Sequence, residues 1–449
     1  MGAEEALDRI QEIAPSVPAI LSSGYDASQV LARGLGCESR MRLWMGMALC
    51  LTWIGTAQAQ ETISSQNLAV SASYPTYSDN FQRANGPLGP DWTQVEGASC
   101  ALQIISDSAY ARETPCLDAH ALEGYTAGRF ANNQWSSYVV RSGDEGNPLA
   151  TQSAVVRNSG AQGYNDADIP AGDYQIGTIN PLADFCQMRP LRSYSAGDRH
   201  ELDVAGSGPV FFWSRRNGAV DATCVDTSAE YTGGVAGVGV IEMNSKPTAQ
   251  VGSWEGGSLP DFSTTPSDNF QRADAGWLGV NWFLVSGLPS SLPAYFKLSK
   301  DSAVLNASGT TASSLAIWTT PFSVNQASTV TAGRFSGGWI GAVTRYTVRA
   351  GAGEGGTFYI ALWSSGKLYL FADTGSSYIA LATLRAATAP STIELDACGV
   401  SPVNLTVKSE GKTVMSYSDS TYKYTGTYVG FGVYGSRATR VAGWTGANF

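Results

Sequence analysis

A glutamate and an aspartate separated by one leucine occur twice in the chain, as Glu201-Leu202-Asp203 and Glu394-Leu395-Asp396. On an extended strand residues i and i+2 share a face, so each pair presents two acids side by side. Acid–base cleavage of a glycosidic bond needs two carboxyl groups in separate roles, one protonating and one attacking or activating water. Val204-Ala205-Gly206 and Ala397-Cys398-Gly399 follow the two pairs, so neither strand supplies a further acid. Histidine is confined to His120 and His200, too few for a His-rich zinc site, and no G-x-S-x-G elbow seats a serine nucleophile. A lyase-type mechanism would draw on His200 and Arg157. The simpler expectation for His200, at the start of a strand, is that it faces solvent.

Other spacings suit binding. Asp166, Asp168 and Asp173 cluster in YNDADIPAGDY, a stretch expected to be an acidic loop whose hard oxygen ligands would hold a structural calcium ion. Asp79 and Asp268 are a second calcium candidate, or caps of a turn. Gly351 to Gly356 fits G-x-G-x-x-G, but a strand-like run follows where a dinucleotide site needs a helix, so a hairpin loop is expected. Aromatic side chains offer flat faces for sugar rings. Trp135, Trp213, Trp277, Trp339 and Trp363, with Arg157 and Arg345, are the candidate ligand-binding residues. Trp339 lies among Gly337, Gly338 and Gly341 and is expected at an exposed tip.

The elements that carry these residues read as strands. Charged residues are 15% of the chain and glycine numbers 50 in 449 residues, a composition suited to short strands and tight turns. The net charge of -10 disfavours a nucleic-acid partner, which clustered Lys and Arg would attract. Residues 41–59 have a basic start at Arg42, an apolar run from Leu43 to Gly55 and Ala57-Gln58-Ala59, the three parts of a signal peptide. That run is shorter than the roughly 20 residues of a spanning helix. No integral membrane span is expected in the mature chain. Secretion or cell-surface display follows, with the periplasm as an alternative.

An internal repeat organises the remainder. Ser78-Asp79-Asn80-Phe81-Gln82-Arg83-Ala84 returns as Ser267-Asp268-Asn269-Phe270-Gln271-Arg272-Ala273. Trp92 then answers to Trp282, Asn133-Gln134 to Asn325-Gln326, Ala154-Val155 with Arg157 to Ala342-Val343 with Arg345, and Trp254 to Trp444. Tryptophans present in both copies are expected in the core. The order DNFQRANGPLGPDW, FxxNQ, ELD and terminal Trp resembles bacterial laminin-G-like jelly rolls of the concanavalin A-like superfamily. That resemblance implies an all-β chain of two tandem antiparallel β-sandwich domains, residues 66–256 and 267–449, joined by a linker at 257–266. Its members include carbohydrate-binding modules, adhesins, phage-tail pieces and glycan-degrading enzymes. Laminarinase-type members carry E-x-D-x-x-E, whose third carboxylate is missing in both copies here. Residues 3–36 resemble a fragment of a response-regulator receiver domain without its phosphoacceptor, so residues 1–40 are expected to lie outside the mature protein.

An oxidising compartment permits disulfides among Cys100, Cys116, Cys186 and Cys224, with neighbours in sequence suggesting Cys100–Cys116 and Cys186–Cys224 and other pairings open. Cys398 is expected to be a buried thiol. Together these readings lead to non-catalytic binding of a polysaccharide or surface glycan. A structural or adhesive module that binds protein, or a glycan hydrolase or lyase, is the alternative.

Overall fold

The structure, a computed structural model, describes residues 75–449 except 97–100, 112–118, 143–149, 161, 170–172, 180–182, 189–194, 243–248, 287–294, 307–311, 353–354 and 387. The receiver-like segment, the leader, Cys100 and Cys116 lie outside the described residues. Every regular element among those described is a strand, and the paired strands run antiparallel.

In the first repeat one sheet runs Leu102–Ile104, Ala109–Ala111, Gln250–Ser258, Gln134–Ser142, Arg199–Ala205, Val210–Arg216, Ala219–Asp226. The other runs Ala183–Met188, Asp173–Ile179, Gly163–Ile169, Ala150–Asn158, Val235–Glu242, Ala119–Tyr125, Trp92–Glu96. The second repeat has the same strand order, with Thr392–Cys398 and Val403–Ser409 in the places of Arg199–Ala205 and Val210–Arg216. In each copy the first strand pairs with the last, Thr76 opposite Gly257 and Ser267 opposite Thr445. The fold is an antiparallel β-sandwich of the jelly-roll kind in both repeats. The last strand of the first repeat continues to Ser258, into the stretch expected to be linker.

The repeated sequence blocks have structural work to do. Asp79 accepts hydrogen bonds from the Phe81 amide (2.8 Å), both terminal nitrogens of Arg83 (2.6 and 2.9 Å) and the Trp92 indole (2.9 Å). Asp268 does the same with Phe270, Arg272 and Trp282. This is the turn reading of those aspartates, and it leaves little of either carboxylate for calcium. The clasp seats the indole of Trp92 edge-on to Trp254 at 4.9 Å, and that of Trp282 edge-on to Trp444 at 4.7 Å. All four tryptophans are buried, as their recurrence predicts.

A second recurrent network pins the loops at one end of each sandwich. Arg157 and Arg345 are fully buried and have left-handed backbones, φ 53° and 56°. The side-chain carbonyl of Gln134 accepts from the Arg157 amide at 2.9 Å, and Gln326 serves Arg345 at 3.0 Å. The Arg157 guanidinium donates to the carbonyls of Asn132, Tyr231 and Gly206, and Arg345 to those of Tyr424 and Gly399. Burial lowers both guanidinium pKa values, that of Arg157 to about 10. Below, Tyr164 donates to Asp226 (2.7 Å) and Tyr359 to Asp419, and each aspartate caps the amides of the next turn.

The two cores differ in polarity. His200, expected at the surface, is fully buried. Leu202 and Val204, which follow it on one strand, face the core, and period-two alternation turns His200 the same way. It pairs with Asp166 on the opposed sheet and lies 5.1 Å from the Tyr138 ring. Strand register places Ile393 and Ala361 at the equivalent positions of the second repeat. Glu123 is likewise buried, accepts from the Leu102 amide at 2.9 Å, and corresponds to Ala316. Burial pushes its carboxyl up to about 7, the Leu102 N–H opposing. A disulfide joins Cys186 to Cys224 across the two sheets. Cys398 is buried as expected, but it is disulfide-bonded and no thiol; its partner lies outside the described residues.

Replacing Arg345 by Leu strands two buried carbonyls, each costing about 1–3 kcal/mol. Urea denaturation should show a loss of roughly 3 kcal/mol. Glu123 gives a pH signature. Its folded pKa lies above the unfolded value, so the folded state binds the extra proton and stability falls as pH rises from about 4.5 to about 7. Glu123→Gln should therefore match the parent near pH 4.5 and exceed it at pH 8 by up to about 3 kcal/mol. Equal stability of the two at pH 8 would remove this account.

Candidate functional site

The outward face of the longer sheet in the first repeat carries a polar and aromatic plate. Its rows follow from register. Gly257, Trp135, Asp203, Trp213 and Thr223 lie abreast, and Glu255, Ser137, Glu201 and Arg215 form the next row. Alternation along the strand explains why both acids of Glu201-Leu202-Asp203 point outward while Leu202 enters the core.

The second repeat covers half of this face. Its strand Trp282–Ser286 is a sheet edge, with backbone carbonyls that need partners. The Trp213 indole donates to the Trp282 carbonyl at 2.9 Å and the Thr223 hydroxyl to the Leu284 carbonyl at 2.6 Å. Phe211 meets Phe283 at 5.2 Å, and Phe211, Trp213 and Val225 join the apolar cluster of the second repeat. Gly351–Ala352, in the stretch expected to be a hairpin loop, pairs with Val225 and Cys224 at the sheet edge. The repeats are therefore docked and share one compact unit, Ser71–Ala447.

The uncovered half holds the charges. The Arg215 guanidinium binds Asp203 (2.5 and 3.0 Å) and Glu201, and stacks 4.3 Å from the Trp277 ring of the second repeat. Arg199 pairs with Glu255 at 2.6 Å, approaches Glu201 at 3.6 Å, and sits 5.6 Å from the Trp135 ring. Trp135 lies across Gly257, where an added Cβ would come within 2.9 Å of the indole nitrogen. Burial and then Asp203 raise the Glu201 carboxyl to about 7, against the pull of Arg215 and Arg199. The carboxylates raise Arg215 in turn, which stays charged. Chemically this is a fixed plate of donors and acceptors between two partly buried indoles, with both acids of the repeated motif held by one guanidinium.

The second repeat repeats the acids without the aromatics. Ala327 and Thr406 replace Trp135 and Trp213 in register, and Lys408 replaces Arg215, 2.6 Å from Glu394 and 2.7 Å from Asp396. Burial raises Asp396 to about 6, and Lys408 helps hold Glu394 low despite burial.

Of the candidate ligand residues, Trp135 and Trp277 come to this face, and Trp213 beside them is sealed beneath the second repeat. Trp339 begins a strand and stacks on Tyr434, half-buried and no tip. Trp363 is buried edge-on to Phe335 at 4.2 Å. Arg157 and Arg345 are loop pins, fully buried and donating to loop carbonyls, which corrects their placement among ligand residues. The acidic loop is a hairpin: Gly163–Ile169 pairs with Asp173–Ile179, Tyr174 opposite Asp168. Asp166 turns inward to the Ala154 amide (2.6 Å) and His200, so it does not belong to a surface calcium cluster. The side chains of Asp168 and Asp173 lie outside the described residues. Among the described residues no group of three or more His, Cys, Asp or Glu is arranged to hold a metal, and no helix is long and apolar enough to cross a membrane. Arg215 and Glu255 escaped the sequence because only cross-strand register brings them to the acids, whereas Arg199, two residues before Glu201 on the same strand, was within reach of the alternation argument.

No protein-family model matches the chain, and no curated protein is similar to it in sequence. Solved structures show a likeness over part of the chain. Sheep galectin-11, in complex with glycerol, is 13% identical, covering 29% of this chain and 96% of its own, TM-score 0.23. A carbohydrate-binding module of Bacillus subtilis is 12% identical, covering 37% and 92%, TM-score 0.26. A legume lectin-like domain from Entamoeba histolytica is 10% identical, covering 38% and 90%, TM-score 0.26.

Arg215→Met leaves Glu201 and Asp203 facing one another with 12% of the Arg215 side chain exposed, and should cost about 3 kcal/mol in urea denaturation. Lys408→Met, at 28% exposure, should cost under about 1 kcal/mol.

Proposed function

We propose that the protein is a secreted or surface-displayed, non-catalytic glycan-binding protein whose ligand lies on the outward sheet face of the first repeat. The observation that carries this reading is that the half-buried indoles of Trp135 and Trp277 lie on one sheet face with Arg199, Glu255, Glu201 and Arg215, the last held in place by the fully buried Asp203. Indole faces supply area for the C–H faces of sugar rings, and fixed carboxylates and guanidiniums supply directional partners for hydroxyls. The second repeat, with Ala327 in place of Trp135, serves as wall and support. Binding is therefore monovalent, without the gain in effective concentration that two sites would bring.

A pull-down of the chain from Gln60 against soluble and insoluble polysaccharides, with and without EDTA and with an assay for released sugar, tests the reading. Retention without sugar release is expected. Trp135→Ala should weaken it by about tenfold or more, on the scale of one lost aromatic anchor, with an unchanged melting curve. Val400→Ser, at an exposed position of the second repeat, should leave it intact. Retention unaffected by Trp135→Ala would place the ligand elsewhere, and no retention on any glycan would leave the adhesive module as the better account. Loss of retention in EDTA would bring back a calcium site.

A further inference from the structure

We infer that the glycan taken by this face is uncharged, and that its site is completed only by the second repeat. The inference rests on the glycan-binding reading and goes on to the chemistry of the ligand. The two guanidiniums beside the indoles are already engaged, and the exposed Arg141 stands six residues beyond Trp135 on the same strand. Arg215 is forked onto Asp203 and also held by Glu201, while Arg199 is bound to Glu255. An incoming uronate or sulfate would have to displace a carboxylate that is already in place and partly desolvated, then lie beside it. Like charges so placed repel, and the displaced acid loses its partner.

The charge balance points the same way. Three carboxyls, Glu201, Asp203 and Glu255, face two guanidiniums, Arg199 and Arg215, so the plate is neutral to slightly negative. Burial and Asp203 raise the Glu201 carboxyl against the pull of Arg215 and Arg199, so the plate resists taking on further negative charge. Such a surface can offer hydroxyl groups both donors and acceptors without attracting ions. The aromatic wall opposite Trp135 belongs to the other repeat: Trp277 covers the Arg215 guanidinium at 4.3 Å and packs edge-on to Trp213 at 6.1 Å. Its position depends on the docking of strand Trp282–Ser286, five residues further on.

The experiment uses the whole chain from Gln60 and two sets of polysaccharides. Galactomannan, xyloglucan and laminarin are neutral; polygalacturonate, alginate and heparin are anionic. Affinities are compared at about 20 mM and about 300 mM salt, where the Debye length changes severalfold. The expected result is retention on at least one neutral polymer with Kd changing less than about twofold between the salts, no retention on the anionic set, and a loss of about tenfold or more with Trp277→Ala. A melting curve and the intact binding of Val400→Ser guard against a folding defect. Retention on an anionic polymer that weakens about tenfold in salt would overturn this inference and leave the glycan-binding reading standing. Full affinity in Trp277→Ala would overturn the composite site alone, and failure to bind any polymer would remove both readings.

Discussion

A guanidinium buried among carbonyl oxygens holds each sandwich closed. Among the described residues neither Arg157 nor Arg345 forms an ion pair; they donate to backbone oxygens drawn from loops far apart in sequence, Gly206 and Tyr231 in one copy and Gly399 and Tyr424 in the other. Each also departs from ordinary backbone geometry to do so, with a positive φ that a non-glycine residue adopts only when its surroundings hold it there. The glutamine that opens the preceding strand, on the opposed sheet, supplies that restraint by accepting from the arginine amide and donating to the opposing loop. Three recurring blocks of sequence, Asn-Gln, Ala-Val-x-Arg and a third, Tyr231-Thr232-Gly233 answering to Tyr424-Thr425-Gly426, are thus one interaction seen from three elements.

Because the loops are fixed, the sheets between them are free to diverge, and they have done so in a directed way. The patch that receives the second repeat is Phe211, Trp213, Thr223 and Val225. The register-equivalent residues in the second repeat are Asn404, Thr406, Ser416 and Ser418. A head-to-tail contact between two copies of one unit could in principle continue indefinitely, as heterologous contacts do. Here the acceptor surface exists once, and its counterpart is polar. The two similar bodies differ in this face: the first offers its neighbour an apolar patch and the second does not.

The fold was legible because its evidence is local and repeated: alternating strands, turn dipeptides and tryptophans that recur in order. The site was legible only in part. Trp135 and Trp277 stood out as aromatics present in one copy, yet the same criterion selected Trp213, buried by a contact between repeats that no single-repeat argument contains. Arg157 and Arg345 were misread for a related reason. Their recurrence in both copies marked them as structural, just as it marked Trp92 and Trp282, but an arginine suggests a ligand more readily than a core residue does. Asp166 reads as part of a polar loop, although Tyr164 two residues before it and His200 across the sandwich set an inward face. Register, which is decided by the whole sheet, was the missing information in each case.

That dependence on register also explains why the proposed glycan face sits where it does. The Glu-Leu-Asp strand is common to both repeats, so carboxylates alone do not make a site. In the first repeat the neighbouring strand contributes Trp135 and the next contributes Arg215, both from positions where the second repeat has Ala327 and Lys408. The docked repeat then hides the apolar half of the sheet and places Trp277 against the charged half. A single event, the docking of an edge strand that needs partners for its carbonyls, therefore does three things: it protects the edge, removes exposed aromatic surface, and supplies the second wall of a site that neither repeat could form by itself.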